Sequence, residues 1–238
     1  MGTYFKRYKL LDQYGILCNT NKASQHINHD AGGQLQNLGD GLLCKYEHFL
    51  SSLKSKPALR FLELGAGLDN NLGASMRCWK RYFPGDAELH VADIKESTHG
   101  LAGEGFHVHV CDLGSPEALQ QLAGLEWDCI LDDASHFWHH QKLAFQHLFP
   151  SLRPGGIYIV EDLCTSFGAY VNSYNPTNES VDAATYFFAL ARRAMAPWCS
   201  LEDINKNSLV QLSDSENNNA LQLDMISIME NSCIMVKK

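Results

Sequence analysis

The chain is short of basic residues: 19 Lys and Arg stand against 27 Asp and Glu among 238 residues, for a net charge of −8. Binding a phosphate backbone requires a Lys/Arg-rich surface. No basic stripe occurs along this chain, so a nucleic-acid partner is not expected. Also lacking is any apolar run near the roughly 18 residues that signal a membrane-spanning helix, so no membrane partner is expected. The eight cysteines (Cys18, Cys44, Cys78, Cys111, Cys129, Cys164, Cys199 and Cys233) include no CxxC pair. With no signal-peptide pattern, they read as reduced thiols of a cytoplasmic protein. Cys111 and Cys129 lie in apolar runs, where a thiol behaves as a small hydrophobe. There is no internal repeat.

What is present is an ordinary globular composition, 45% hydrophobic and 19% charged, in a length that suits one large domain or a domain with a small lid. Residues 1–57 are polar and irregular, broken at Gly32-Gly33 and Gly39-Asp40-Gly41, and read as a lid leading into a helix near Leu42–Leu53. From residue 58 short apolar runs alternate with helical stretches. Strands are expected at Leu59–Leu64, Glu88–Ile94, Phe106–Cys111, Trp127–Leu131 and Ile157–Val160. Helices are expected at Ser75–Phe83, from Ser115-Pro116-Glu117 onward (Ser as N-cap, Pro at the first position) and at Trp138–Phe149. Alternation of this kind implies parallel βαβ units in an open, doubly wound α/β sheet. Residues 166–197 form a substrate-side loop and helix, Asn205–Asn219 reads as a polar linker, and Leu221–Met229 with Cys233–Lys237 reads as a terminal antiparallel hairpin. The expected division is a 1–57 lid and a 58–238 domain.

In open α/β sheets, ligands bind beyond the carboxyl ends of the strands. Here those ends carry Glu63-Leu64-Gly65-Ala66-Gly67, Asp93, Asp112 and Asp132-Asp133. Gly65 and Gly67 permit close backbone approach to a ligand. Asp93, 26 residues past Gly67, is placed to accept hydrogen bonds from ribose hydroxyls, and Asp112 from an adenine amino group. The third glycine of a dinucleotide fingerprint is missing, since Asp69-Asn70-Asn71 follows. A pyrophosphate needs a bare helix N-terminus, so an acidic, Asn-rich turn suits the zwitterionic tail of S-adenosylmethionine better than NAD. The alternative is that these carboxylates only cap helices.

Asp132-Asp133-Ala134-Ser135-His136 follows the fourth strand and Glu161-Asp162 the fifth. Neighbouring strand ends lie about 5 Å apart, so these groups converge, and such a density of negative charge calls for a cation. Oxygen ligands select a hard ion such as Mg²⁺, with Asp133, Glu161 and Asp162 as its ligands. Coordination lowers the pKa of a hydroxyl by several units. Imidazole titrates near neutrality, so His136 is the expected general base beside Asp133, and the alkoxide attacks the sulfonium methyl. The plainer reading makes the three carboxylates helix caps and His136 a residue behind the site. His136, His139 and His140 also have a spacing compatible with a transition metal on a helix, although His139 and His140 more simply begin a solvated helix face.

The segments FLELGAG…GASMRCWKRYFPGDAELHVADI and ILDDASHFWHHQKLAFQHLFPSLRPGGIYIVEDLCTSF resemble the macrocin/mycinamicin sugar O-methyltransferases over about residues 58–168. The likeness extends weakly to Asn19–Lys22, Tyr46-Glu47 and the final SIMENSCIMVKK. The resemblance implies a Rossmann-like class I methyltransferase fold: a seven-stranded, mostly parallel sheet with a C-terminal antiparallel hairpin. It implies S-adenosylmethionine and Mg²⁺ as cofactors and a sugar hydroxyl as acceptor. By motif, Asp133, Glu161 and Asp162 match metal carboxylates and His136 the base, while Glu63, Gly65, Asp93 and Asp112 match cofactor positions. Lys22, Gly67, Ser75 and Asp132 complete the expected cofactor set. The expected function is a Mg²⁺-dependent O-methyltransferase of a small hydroxylated natural product, glycoside or polyketide, working as a homo-oligomer. A metal-independent N- or O-methyltransferase, a catalytically silent binding module and, more distantly, an NAD-dependent oxidoreductase are the alternatives.

Overall fold

A computed structural model describes residues 9–28, 34–36, 39–83, 85–206 and 208–238. The expected break at Gly32-Gly33 lies outside them. The chain divides into two compact units: the residues up to Phe61 with Ala66–Val110, and Leu62–Gly65 with Cys111–Lys238.

The first unit contains α1 (Leu10–Cys18), β1 (His26–Asn28), β2 (Gln34–Gln36), α2 (Leu42–Leu50), the start of β3 (Arg60–Leu64), α3 (Ala74–Tyr82), β4 (Glu88–Asp93) and β5 (His107–Val110). The segment expected to be an irregular lid thus holds a helix and a short antiparallel ribbon, His26 opposite Gln36. α1 ends where Asn19 turns left-handed (φ 57) and its N–H closes on the Gly15 and Ile16 carbonyls, a conformation Asn tolerates better than most residues. Buried polar groups tie this region down: Asp12 accepts from the Ser24 N–H (2.7 Å) and hydroxyl (2.6 Å), and Glu47 accepts from the Leu11 N–H (3.2 Å). The unit's aromatic core is Phe61 against Trp79 and Phe83, with centroids 5.2 and 5.5 Å apart.

The second unit continues with α4 (Pro116–Ala123), β6 (Trp127–Asp132), α5 (Trp138–Leu148), β7 (Leu152–Glu161), α6 (Val171–Tyr174), α7 (Ala183–Met195), α8 (Leu201–Lys206), α9 (Asp214–Leu221), β8 (Leu223–Met229) and β9 (Ser232–Lys237). Ser115 caps α4 as its position before Pro116 suggested, its Oγ accepting from the Ala118 N–H. Every residue of β6 is buried, as expected of a strand covered on both faces. β7 begins earlier than the apolar run suggests, at Leu152, with Pro154-Gly155-Gly156 inside it and an irregular register opposite Trp127–Cys129. The supposed linker Asn205–Asn219 contains most of a helix. Ser213 and Glu216 form a reciprocal capping box at the start of α9, and Gln146 and Arg193 hold it through Glu216 (2.7 Å) and Asn217 (2.5 Å). This unit packs around Phe145, Phe149, Tyr158 and Phe187.

The seven-stranded sheet has the order β5-β4-β3-β6-β7-β9-β8. β4 and β5 pair parallel, as do β6 and β7, and β9 runs antiparallel to both β7 and β8. This is the expected Rossmann-like class I methyltransferase architecture with its closing hairpin. Among the described residues no helix is long and apolar enough to cross a membrane, and all eight cysteines are free thiols.

Candidate active site

The second unit gathers the carboxylates and imidazole picked out in the sequence. β6 and β7 are in parallel register with Asp132 opposite Val160, so Asp133 leaves β6 beside the point where Glu161 and Asp162 leave β7. In each adjacent pair the first residue closes a strand and the second begins the loop beyond it. Asp132 and Glu161 are buried, whereas Asp133 and Asp162 are 21% and 34% exposed at the strand tips. His136, 18% exposed, brings its Nε2 to 3.2 Å from Asp162 Oδ2 and 3.8 Å from Asp133 Oδ1. Ligating atoms of Asp133, His136 and Asp162 all lie within 4.8 Å of one another. Glu161, expected as a third carboxylate ligand, is buried at the end of β7 and is not part of this group, which includes the His136 imidazole.

Backbone strain marks the same spot. His136 (φ 56) and Asp162 (φ 55) both adopt left-handed conformations, which are unfavourable for residues with a Cβ and accumulate where function requires them. The Thr165 hydroxyl bridges the two loops, donating to the Asp162 carbonyl (2.8 Å) and lying 3.4 Å from that of His136. The His136 Nδ1 is buried and has no hydrogen-bond partner among the described residues. Asp132, sealed behind the tip, has its carboxyl pushed up to about 7 by burial, with a further contribution from the charge of Asp133. Its Oδ2 likewise lacks a hydrogen-bond partner among the described residues. The ring of Tyr174 stands 6.3 Å from that of His136 and 6.3 Å from that of Phe137, so the 166–197 segment supplies an aromatic wall beside the imidazole.

Gly65 belongs to this construction. Its φ is 94, and a Cβ there would lie 2.1 Å from the Asp133 carbonyl oxygen, while the Asp133 N–H donates to the Leu64 carbonyl (2.9 Å). The glycine lets the end of β3 close onto the backbone of Asp133, a role that the sequence attributed to ligand approach. Of the other expected cofactor residues in this unit, Glu63 is fully buried within β3. Asp112 is exposed, its Oδ1 accepting from the Gly114 N–H (2.8 Å).

In the first unit Asp93 clasps the glycine turn: Oδ2 accepts from the Ala66 N–H (2.7 Å) and Oδ1 from the Lys95 N–H (2.9 Å). Each carboxylate oxygen retains a further lone pair for a ligand hydroxyl. Lys95, unnoticed in the sequence, donates through Nζ to the Gly67 carbonyl (2.7 Å). Gly67 holds φ 89, and Ser75 is buried in the first turn of α3. Lys22 is buried, and its carbonyl accepts from the Leu42 and Leu43 N–H groups at the head of α2.

His139 and His140 are drawn elsewhere than a shared metal face. His136 precedes the first turn of α5, His140 Nδ1 lies 2.7 Å from Ser135 Oγ, and His139 Nδ1 lies 3.3 Å from Thr177 Oγ1.

No protein-family model matches the chain. Among curated proteins, it is 35% identical over 127 residues to the 8-demethyl-8-(2-methoxy-alpha-L-rhamnosyl)-tetracenomycin-C 3'-O-methyltransferase of Streptomyces olivaceus, covering 51% of this chain and 32% of that one. It is 34% identical over 114 residues to the demethylmacrocin O-methyltransferase of Streptomyces fradiae, covering 46% and 28%. The chain therefore matches about a third of the length of these relatives. Among solved structures, the MycE methyltransferase of the mycinamycin biosynthetic pathway, in complex with Mg, SAH and mycinamycin VI, superposes with a TM-score of 0.72 at 20% identity, covering 95% of this chain and 54% of that one. A second crystal form of MycE with Mg and SAH gives a TM-score of 0.73 at 22% identity. The likeness to sugar O-methyltransferases of natural-product pathways, read from the DDASH and RPGGIYIVED segments, is borne out.

Proposed function

We propose that this chain is an S-adenosylmethionine-dependent O-methyltransferase that methylates a sugar hydroxyl on a polyketide or macrolide-like product, with Mg²⁺ at the tips of β6 and β7. The observation that carries the reading is the convergence of Asp133, His136 and Asp162 on strained loops at the carboxyl end of a methyltransferase-like sheet. The donor set fits such an ion: two part-exposed carboxylates lie within ligating reach of one another, and Asp132 and Glu161 are buried at the same strand ends. That concentration of negative charge favours a hard divalent cation.

Asp133 and Asp162 would hold the metal, and Glu161 adds a buried carboxyl at the same strand end. When bound, the ion acts as a Lewis acid and makes a coordinated hydroxyl more acidic. The imidazole of His136 takes the hydroxyl proton, and the carboxylates flanking Nε2 place counter-charge beside the ring that receives it. S-adenosylmethionine, when bound, would supply a sulfonium methyl whose transfer to the deprotonated acceptor cancels charge. Charge disappears in this step, so no oxyanion hole is required and orientation supplies much of the rate. Within their own units, Gly67, Ser75 and Asp93, and Glu63, Gly65, Asp112 and Asp132, would serve the cofactor. Asp93 does so through lone pairs left over from its clasp on the turn. Free thiols at all eight cysteines are compatible with work in the cytoplasm.

The deciding assay incubates the chain with methyl-labelled S-adenosylmethionine and a panel of glycosylated polyketides. Labelled product is expected, lost on treatment with EDTA and restored by Mg²⁺. Turnover indifferent to EDTA would replace this reading with metal-free base catalysis by His136. Cofactor binding without transfer to any acceptor would favour the silent binding module.

A further inference from the structure

The turn between β8 and β9 reaches into the candidate active site. Asn231 sits in that turn with φ 62. Three contacts join it to the loop after β7: its Nδ2 donates to Asp162 Oδ1 (2.5 Å), its Oδ1 accepts from the Cys164 N–H (3.2 Å), and its carbonyl accepts from the Leu163 N–H (3.3 Å). Asp162 turns its other oxygen, Oδ2, toward His136 Nε2 at 3.2 Å. One side chain therefore fixes both the backbone of the 162–164 turn and the rotation of the Asp162 carboxylate. A hairpin needs Asn or Gly at a left-handed turn position. Glycine would satisfy the turn but would make neither side-chain contact.

We propose that Asn231 is the positioning residue for Asp162, directing Oδ2 toward the metal-binding cluster by holding Oδ1; the inference rests on the metal reading given above. Groups behind a ligating carboxylate orient it, and their removal typically weakens metal affinity by about tenfold to a hundredfold. The left-handed backbone strain at Asp162 makes the role more specific. Without the clamp, the 162–164 turn loses the contacts that hold Asp162 in an unfavourable conformation.

The test is Mn²⁺ uptake by the intact chain, followed by electron paramagnetic resonance of the free ion, for wild type, Asn231→Gly and Asp162→Asn. Asn231→Gly keeps the turn conformation available. It is expected to melt close to wild type in metal-free buffer yet to bind Mn²⁺ about tenfold or more weakly. In the Asp162→Asn background the same change should have no further effect on Mn²⁺, because Asn231 acts through that carboxylate. Asn231→Ser, which keeps an oxygen for the Cys164 N–H, carries the same expectation should the glycine variant not fold. Mn²⁺ affinity that falls in Asp162→Asn and stays at the wild-type value in Asn231→Gly overturns this inference alone. Failure of the wild-type chain to take up Mn²⁺ overturns it together with the metal reading.

Discussion

Two clusters of titratable side chains among the described residues are built in opposite ways. On the first unit, His90 lies within β4, and His107 and His109 lie at the start and inside of β5. The His90 and His107 rings stack at 4.4 Å, and His90 Nδ1 meets His109 Nε2 at 3.0 Å. On the second unit, Asp133, His136 and Asp162 stand at strand tips, two of them on left-handed backbone, with a buried imidazole nitrogen that no described residue satisfies. The histidines of the first cluster stack on and hydrogen-bond to one another on relaxed strand backbone, which accounts for their grouping. In the second cluster, charge is concentrated and the backbone distorted without a stabilising return visible in the fold itself. Strain together with concentrated charge points to a ligand, and the mere presence of histidine does not.

Asp133→Asn would sharpen that contrast most. Turnover should drop by about a hundredfold to a thousandfold, the range seen when a key electrostatic group is removed, while S-adenosylhomocysteine affinity measured by calorimetry stays near wild type. His90→Asn should leave turnover almost untouched, and comparable losses from both substitutions would break the distinction. Next in size is Gly65→Ala. A left-handed φ and a methyl group driven into the Asp133 carbonyl should cost about 3 kcal/mol in chemical unfolding. Wild-type stability there would mean that the closure of β3 on Asp133 is not needed. Asp93→Ala should raise the cofactor dissociation constant by about tenfold to a hundredfold and also loosen the Ala66 and Lys95 amides. Unchanged affinity removes Asp93 from the cofactor site.

The smallest effect concerns pH. Burial, reinforced by His107 and His109, lowers His90 from 6.5 to about 4. The unfolded chain therefore binds the proton more readily between those values. Stability from this group is whole above about pH 6.5 and declines as pH falls toward 4, by about 1 kcal/mol at pH 5.5. Melting curves across that range should show the decline in wild type and a flatter profile in His90→Phe. Identical slopes would detach the histidine stack from acid sensitivity.

The expected strands and the helices from Ser75 to Phe149 were readable because their signals are local: apolar runs bounded by turn residues, and Ser115-Pro116 as a helix start. The helix over Asp214–Leu221 was missed although its capping box is also local, because an Asn-rich composition masked it. α1 was missed because its residues pair with partners far along the chain, Glu47 with Leu11 and Ser24 with Asp12. Within the candidate site, residue types at strand ends identified Asp133, His136 and Asp162. Nothing in the sequence revealed that Glu161 is buried, that Gly65 makes room for Asp133, or that Asn231 holds Asp162.

By itself the sequence determined the alternation of strand and helix, the acidic strand ends and the likeness to sugar O-methyltransferases, because periodicity and motif are properties of neighbouring residues. Tertiary structure alone decided which of two adjacent carboxylates faces outward and which imidazole joins them. Those choices follow from where β6 and β7 end side by side, from the left-handed turns at His136 and Asp162, and from a hairpin turn about 70 residues downstream of Asp162. The physical reason is that where strands end side by side, and what holds the loops beyond them, depends on pairing and contacts between distant parts of the chain.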